Sequence, residues 1–303
     1  MSDVAIITSS SVEPPPIDDA MLADELASRG IITTMLAWDT GSVATTNATI
    51  GVVRSTWNYH LQLREFLEWT AHFAETNLLF NSLAAISWNC HKKYLSYLSR
   101  QGVSCVPTLY LDCLSTDKLQ CVFDTTSWTT IVVKPVVALG ADGLHRVEVG
   151  KQEQWHRAIA GTTGYSGLLI QPYLASVESD GEVSICFVDG KVSHAVRKIP
   201  ASGEFRVHEK YGGRLERITP TPAVETFARY CLESSGFRTL YARADILFDS
   251  NGDPLLNELE LIEPDLYLRE APDVVVRLAS AIEERLLNLR PLSVAPHNCV
   301  KKV

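Results

Sequence analysis

Residues 241–263 read YARADILFDSNGDPLLNELELIE. Two runs of alternating apolar residues flank the turn Asp-Ser-Asn-Gly-Asp-Pro, a pattern that is typical of a β-hairpin. Because successive side chains of a strand point to opposite faces, Glu258 and Glu260 share one face, and Asp245 can meet them from the neighbouring strand. The sequence therefore predicts three carboxylates that converge on one point of a sheet.

Three like charges in a largely apolar sheet repel one another and are costly to remove from water unless a cation holds them. Ligands that are all oxygen atoms favour Mg²⁺, which commonly bridges to the phosphates of a nucleotide. The alternative is the solvated polar face of a half-buried hairpin. The hairpin alone leaves both interpretations open.

Composition limits the class of protein. A chain of 303 residues with 46% hydrophobic and 21% charged residues is typical of a soluble protein with two or three domains. The net charge of −9 argues against a nucleic-acid partner. No basic leader follows Met1 and no apolar run is long enough for a membrane span, so we expect a cytoplasmic protein without a membrane partner. The seven cysteines include no C-x-x-C pair, which indicates buried thiols rather than disulfides or structural zinc.

The pattern of apolar residues divides the chain into three blocks. Residues 1–90 alternate strands and helices, which predicts a small doubly wound α/β domain whose first helix is capped by Asp18 and Asp19. Residues 91–170 begin with a predicted helix over residues 91–101, and residues 171–303 are rich in strands. The predicted fold class is α/β, with α+β lobes after the first domain.

The loop after the first predicted strand, residues 4–8, lacks a G-x-G-x-x-G sequence. A dinucleotide-binding fold would carry its phosphate-binding glycines at that point. An NAD-linked oxidoreductase is therefore disfavoured.

Lys134 lies inside the apolar run of IVVKPVVALGADG, where a lysine is costly unless a ligand takes its charge. Gly140 and Gly143 mark a flexible loop whose backbone N–H groups could close over phosphate oxygens. Lys92 lies near the start of a predicted helix, where an anion is a natural partner. The alternatives are a strand lysine that reaches solvent at a sheet edge and a solvated surface charge.

The segment LLIQPYLASVESDGEVS covers residues 168–184. Pro172 removes one backbone donor and leaves neighbouring main-chain groups free to bond a flat heterocycle. Glu178 and Glu182 could bond the diol of a ribose, or they could be surface charges of a loop.

Basic residues are concentrated in residues 192–214, VSHAVRKIPASGEFRVHEKYGGR, although the chain is acidic as a whole. Arg197, Lys198 and Arg206 suit carboxylate and phosphoryl oxygens, and the interspersed glycines allow such a loop to move. The alternative is a solvated hairpin.

Residues 54–60 follow a predicted strand over residues 50–53. Open α/β sheets bind ligands at loops that follow the carboxyl ends of their strands. We therefore expect this segment to line the acceptor side of a cleft. The alternative is that Trp57 and Tyr59 are core aromatics.

Taken in this order, the pieces resemble the ATP-grasp superfamily over about residues 80–270. The segments VRSTWNYH and ELELIEP are similar to segments of glutathione-synthetase-like ligases, in particular the D-cycloserine biosynthetic ligase and its relatives. The resemblance implies an ATP-grasp fold in which a small N-terminal α/β domain precedes two lobes that clasp ATP.

The resemblance also implies the roles of individual residues. Mg²⁺ would be held by Asp245, Glu258 and Glu260. ATP would be contacted by Lys92, Lys134, Gly140, Gly143, Gln171, Tyr173, Leu174, Glu178 and Glu182. The substrate would be contacted by Arg54, Trp57, Asn58, His60 and Glu263. The transferring groups would face Arg197, Lys198 and Arg206.

The expected function is that of an ATP- and Mg²⁺-dependent carboxylate–amine ligase that forms an acyl phosphate on a small amino-acid-like substrate. The product is an amide between two molecules or a ring, as in formation of the antibiotic D-cycloserine. The alternative is a nucleotide-binding regulatory protein of the same fold without turnover. A homodimer would be the commonest assembly.

Overall fold

The computed structural model describes residues 3–40 and 48–289. Within these ranges the strands form three sheets, which follow one another along the chain. None of the helices in this part of the chain is both long and apolar enough to cross a bilayer.

The N-terminal sheet is parallel, as the alternation of strands and helices predicts, with strand order β2-β1-β3-β4. Strands β1 and β3 are buried along their whole length because the sheet is covered on both faces. The elements are β1 (Val4–Thr8), α1 (Ile17–Ser28), β2 (Thr33–Ala37), β3 (Ile50–Ser55), α2 (Leu63–Thr76) and β4 (Leu78–Phe80).

The prediction that Asp18 and Asp19 cap the first helix is wrong. Helix α1 begins at Ile17, and both carboxylates are buried and bond to groups outside the helix. Asp18 accepts a hydrogen bond from the backbone N–H of Leu268 at 2.7 Å, and Asp19 accepts one from Nε of Arg54 at 3.3 Å. Asp18 therefore joins the N-terminal domain to a loop near the end of the chain, whereas Asp19 holds Arg54 within that domain.

Helix α3 (Leu83–Asn89) is followed by α4 (Tyr94–Arg100), which confirms the helix predicted over residues 91–101 with a later start. The next sheet is antiparallel with order β5-β8-β6-β7. Along β6, Ile131 and Val133 enter a core that includes residues of α5 and α6, whereas Lys134 points to the other face. The elements are β5 (Leu109–Leu111), α5 (Thr116–Thr125), β6 (Thr130–Pro135), β7 (His145–Glu148), α6 (Gln152–Gly161) and β8 (Leu168–Pro172).

The third sheet is antiparallel with order β11-β10-β9-β12-β13, and it contains the predicted hairpin. One face packs Ile185 and Leu259 against helix α8, and the other face carries polar side chains. The elements are α7 (Ser176–Ser179), β9 (Glu182–Val188), β10 (Lys191–Ile199), β11 (Arg214–Ile218), α8 (Pro222–Ser234), β12 (Tyr241–Phe248) and β13 (Pro254–Glu260).

The last helix, α9 (Pro272–Leu289), packs back on the N-terminal domain. Leu278 and Ile282 of this helix share a buried cluster with Ile6 of β1 and Leu22 of α1. The C-terminal part of the chain therefore completes the core of the first domain. The division into residues 1–90, 91–170 and 171–303 stays a prediction.

The buried-thiol prediction is correct for only some cysteines. Among the described residues, six free cysteines include the buried Cys90, Cys186 and Cys231. The prediction is wrong for Cys113 and Cys121, which are exposed in the loop before α5 and on its outer face. Cys299 lies outside the described residues.

Candidate active site

A cavity of about 860 Å³ lies where residues of all three sheets and their loops meet. Most of the predicted site residues line it: Trp57, His60, Lys92, Lys134, Gly140, Gln171, Tyr173, Leu174, Glu182, Lys198, Arg206, Asp245, Glu258, Glu260 and Glu263. The sequence therefore identified residues that the fold brings to one place, although the ligands that they bind stay predictions.

Other predicted site residues lie away from the cavity lining: Arg54, Asn58, Gly143, Glu178 and Arg197. The position of Arg197 follows from the alternation of side chains along β10. Lys198 faces the cavity, so the neighbouring Arg197 faces the other side of the sheet. Arg54 is buried, and its Nη1 donates to the carbonyl oxygen of Pro264 at 3.1 Å in addition to its contact with Asp19.

Local bonds hold the remaining displaced residues. Nδ2 of Asn58 donates to Asp39 at 2.6 Å, while Glu178 is exposed and accepts from Arg146 at 3.2 Å. A Cβ at Gly143 would lie 2.6 Å from Cγ of Pro135, and its φ of +64° suits glycine. Gly143 therefore shapes the turn, whereas Gly140 lines the cavity.

The polar face of the hairpin carries the predicted carboxylates, and the same-face prediction is confirmed. Asp245 lies opposite Glu258, and Arg243 lies opposite Glu260. Nη2 of Arg243 donates to Asp245 at 2.8 Å and also to Glu260, and Nζ of Lys198 lies 3.2 Å from Asp245. Burial alone would raise the pKa of Asp245, but the charges of Arg243 and Lys198 lower that pKa overall.

Convergence of the three carboxylates on one point is not observed. No group of three or more His, Cys, Asp or Glu within residues 3–40 and 48–289 is arranged to hold a metal ion. The carboxylates instead face lysine and arginine groups, which offset their charge.

Glu258 receives two lysines from different elements. Nζ of Lys92 lies 3.0 Å and Nζ of Lys134 lies 3.6 Å from its carboxylate oxygens, and Lys134 also donates to Oδ1 of Asn257 at 2.8 Å. Burial would raise the pKa of Glu258, but the two ammonium groups lower it overall. Burial dominates at Lys134 and lowers its pKa, whereas the carboxylates around Lys92 outweigh burial and raise its pKa.

Glu260 and Glu263 carry less compensated charge. Burial raises the pKa of Glu260 to about 7, with Asp245 and Glu258 adding repulsion that Arg243 only partly offsets. Burial also raises the pKa of Glu263, and its Oε2 is buried without a hydrogen-bond partner among the described residues. Carboxylate oxygens are the donor type that a hard cation such as Mg²⁺ prefers, and a bound cation would lower both pKa values.

The predicted adenine segment lines another part of the cavity. Gln171 is buried, and its Nε2 donates to Oγ1 of Thr108 at 3.0 Å. The backbone N–H of Tyr173 donates to Thr130 at 2.9 Å. Val132 and Leu247 line the same cavity. This part of the cavity therefore offers apolar side chains against which a flat heterocycle could stack.

Sequence reasoning missed several residues of the cavity. Arg243 could have been found, because it precedes Asp245 by two positions on one strand and so shares its face. Tyr267 has no sequence signal: it has a φ of +50° in the loop after β13. Arg243 and Arg269 each lie over its ring, 5.4 Å from the ring centroid.

Two families match parts of this chain. Residues 4–81 match the family described as the N-terminal domain of D-cycloserine synthetase DcsG. Residues 107–231 match the ATP-grasp domain of prokaryotic glutathione synthetase.

Similar proteins extend these matches. The cycloserine biosynthesis protein DcsG of Streptomyces lavendulae is 26% identical over 302 residues, which cover 94% of this chain and 99% of the relative. A probable alpha-L-glutamate ligase of Picosynechococcus sp. is 28% identical over 182 residues, covering 59% of this chain and 58% of the relative.

Solved structures share the fold. The crystal structure of D-cycloserine synthetase DcsG has a TM-score of 0.81 and 25% identity, and the match covers 93% of this chain and 99% of that one. D-alanine–D-alanine ligase from Bacillus anthracis has a TM-score of 0.67 and 15% identity, covering 96% of this chain and 99% of that one.

The chain has the ATP-grasp fold, which confirms the fold that the sequence predicts. Its central part is similar to the ATP-grasp domain of glutathione synthetase. Over nearly its whole length it is similar to D-cycloserine synthetase.

Proposed function

We propose that this chain is an ATP- and Mg²⁺-dependent ligase that joins the carboxylate of a small amino-acid-like substrate to an amine. The observation that carries the proposal is the meeting of Lys92 and Lys134 at Glu258 inside the cavity. Two partly buried cations beside a partly buried carboxylate suit a ligand that brings phosphate charge together with a metal ion.

In this proposal residues 171–174 bond adenine and Glu182 meets the ribose. Lys92 and Lys134 turn to the phosphates, and the loop at Gly140 covers them. Asp245, Glu258 and Glu260 would hold Mg²⁺, which when bound offsets the charge of the phosphate oxygens.

The substrate carboxylate attacks the γ-phosphoryl group, so that an acyl phosphate and ADP form. Lys198 and Arg206 offset the negative charge that gathers there. The guanidinium of Arg206 is held by Glu204 at 2.5 Å and stacks 3.6 Å above the Tyr211 ring, which limits its movement. The amine then attacks the acyl carbon, a C–N bond forms and phosphate leaves.

Glu263 is the candidate group for the substrate's amino group. Its buried Oε2 lacks a partner among the described residues, and burying a carboxylate is costly until a cation or donor compensates it. A substrate ammonium at this position would supply that compensation.

The relatives' names give two versions of the reaction. Ring closure within one molecule would parallel cycloserine biosynthesis, and amide formation between two molecules would parallel the probable glutamate ligase. The proposed reaction is the step that both versions share, the joining of a carboxylate to an amine. The same cleft could serve either product.

The test is an ADP-release screen over D- and L-amino acids and O-substituted serines, with ATP, Mg²⁺ and amine nucleophiles, and with product masses read directly. Substrate-dependent ADP together with a product that has lost water supports the ligase. ATP binding by calorimetry without ADP from any substrate would instead indicate a nucleotide-binding regulatory protein.

A further inference from the structure

An apolar patch forms the N-terminal-domain side of the cavity. We define this apolar wall by Pro16, Ile17, Trp57 and Leu61, which all line the cavity. Ile17 is 61%, Trp57 44% and Leu61 69% exposed, so the wall presents large hydrophobic side chains to water. Large exposed apolar side chains that line one side of a cavity are candidates for contact with a ligand.

The topology explains why these residues meet. Pro16 and Ile17 follow β1, whereas Trp57 and Leu61 follow β3. Strands β1 and β3 are parallel neighbours, so the segments after them leave the same edge of the sheet. The wall is therefore a product of the N-terminal domain and not of the two sheets that carry the proposed ATP contacts.

The charged groups that could bind the substrate belong to other parts of the cavity lining than the apolar wall. Glu263, Lys198 and Arg206 offer charge for an amino group, a carboxylate and a phosphoryl group. The four residues of the apolar wall carry no charged group. If the substrate had a short polar side chain, the apolar surface of the wall would stay in water. An apolar side chain would remove that surface from water, which lowers the free energy of the complex.

Building on the proposed function, we propose that the apolar wall binds the apolar side chain of the amino-acid substrate. The preferred carboxylate substrate is then an amino acid of the leucine or phenylalanine type, with its amino group at Glu263. Leu61 and Trp57 are the residues that determine this specificity.

The test compares kcat/KM for ADP release with leucine, phenylalanine, alanine and serine, each as both enantiomers. For the preferred enantiomer, leucine or phenylalanine should exceed alanine by at least about tenfold, the effect of burying a few methylene groups. Leu61→Ala should lower kcat/KM for leucine at least about fivefold more than for alanine.

Leu287→Ala is the matched control, because Leu287 is 57% exposed on α9 and lies away from the cavity lining. This variant should leave the leucine-to-alanine ratio unchanged. A preference for serine, or a Leu61→Ala effect that is equal for every amino acid, would overturn the inference.

Calorimetry separates this inference from the proposed function. Amino acids are titrated into the protein with Mg²⁺ and a non-hydrolysable ATP analogue. Selective binding of leucine or phenylalanine without ADP release from ATP would overturn the ligase and support the wall. Release of ADP with polar amino acids only would support the ligase and overturn the wall.

Discussion

Glu258 joins three parts of the cleft at the scale of a single residue. Lys92 comes from the segment between α3 and α4, Lys134 from β6, and Glu258 itself from β13. The two ammonium groups offset a carboxylate that is otherwise costly to bury. We expect phosphates to compete for the lysines and Mg²⁺ to compete for the carboxylate, so that the two ligands favour each other's binding.

Glu258→Gln should lower kcat by at least about 100-fold, because it removes one metal-binding charge at nearly constant shape. Steady-state ADP release at increasing Mg²⁺ measures the effect. Glu233→Gln, at an exposed position of α8, is the control and should behave like the parent. Glu258→Gln activity within about threefold of the parent at saturating Mg²⁺ would contradict the metal assignment.

Lys134→Met should weaken ATP binding by more than tenfold, the scale of a lost charge-assisted hydrogen bond of roughly 1.5–3 kcal/mol. Methionine keeps the apolar stem, and Lys92 still compensates Glu258. Calorimetry with ATP and Mg²⁺ gives the affinity, and Lys151→Met at an exposed site serves as the control. An unchanged affinity would return Lys134 to a structural role.

The alternation of β10 makes a prediction at the scale of the element. Lys198 faces the cavity beside Asp245, whereas Arg197 faces the other side. Lys198→Met should lower kcat by at least about 100-fold, and Arg197→Met should leave it within about threefold. Near-ultraviolet circular dichroism first verifies that both variants fold. An equal loss of kcat in the two variants would mean that the rate depends on positive charge in this region and not on the face of β10 that carries it.

Local pattern decided which elements the sequence could predict. The hairpin of β12 and β13 is predictable because its alternation and its turn lie within one short segment. The helix predicted over residues 91–101 begins later, at Tyr94, because a turn around Lys92 separates α3 from α4. The sequence predicts a substrate contact for Arg54, but the side chain is buried by contacts with Asp19 and Pro264. The local sequence around Arg54 does not show these contacts.

Contacts between distant segments set the arrangement of the whole molecule. Arg54 bonds to Asp19 of the N-terminal domain and to the carbonyl of Pro264 after β13. Asp18 receives the backbone N–H of Leu268. Tyr267 lies in this connecting loop, so its place in the cavity depends on contacts that no local sequence pattern records.

Arg54→Ala should therefore destabilise the fold by about 3–5 kcal/mol, because it leaves the Asp19 carboxylate buried without its partner. Urea unfolding measures the free energy of unfolding. Arg64→Ala is the control, since the Arg64 side chain is 79% exposed. Unchanged stability together with a raised KM for the carboxylate would contradict this structural role and restore Arg54 to the substrate site.

The most direct test of the ligase is the nature of its activated intermediate. The protein is incubated with ATP, Mg²⁺, hydroxylamine and the carboxylate substrate that gives ADP in the screen. An acyl phosphate predicts a hydroxamate together with ADP and orthophosphate, because hydroxylamine replaces the amine in attack on the acyl carbon. Formation of AMP and pyrophosphate would mean an acyl adenylate and would contradict the proposed mechanism.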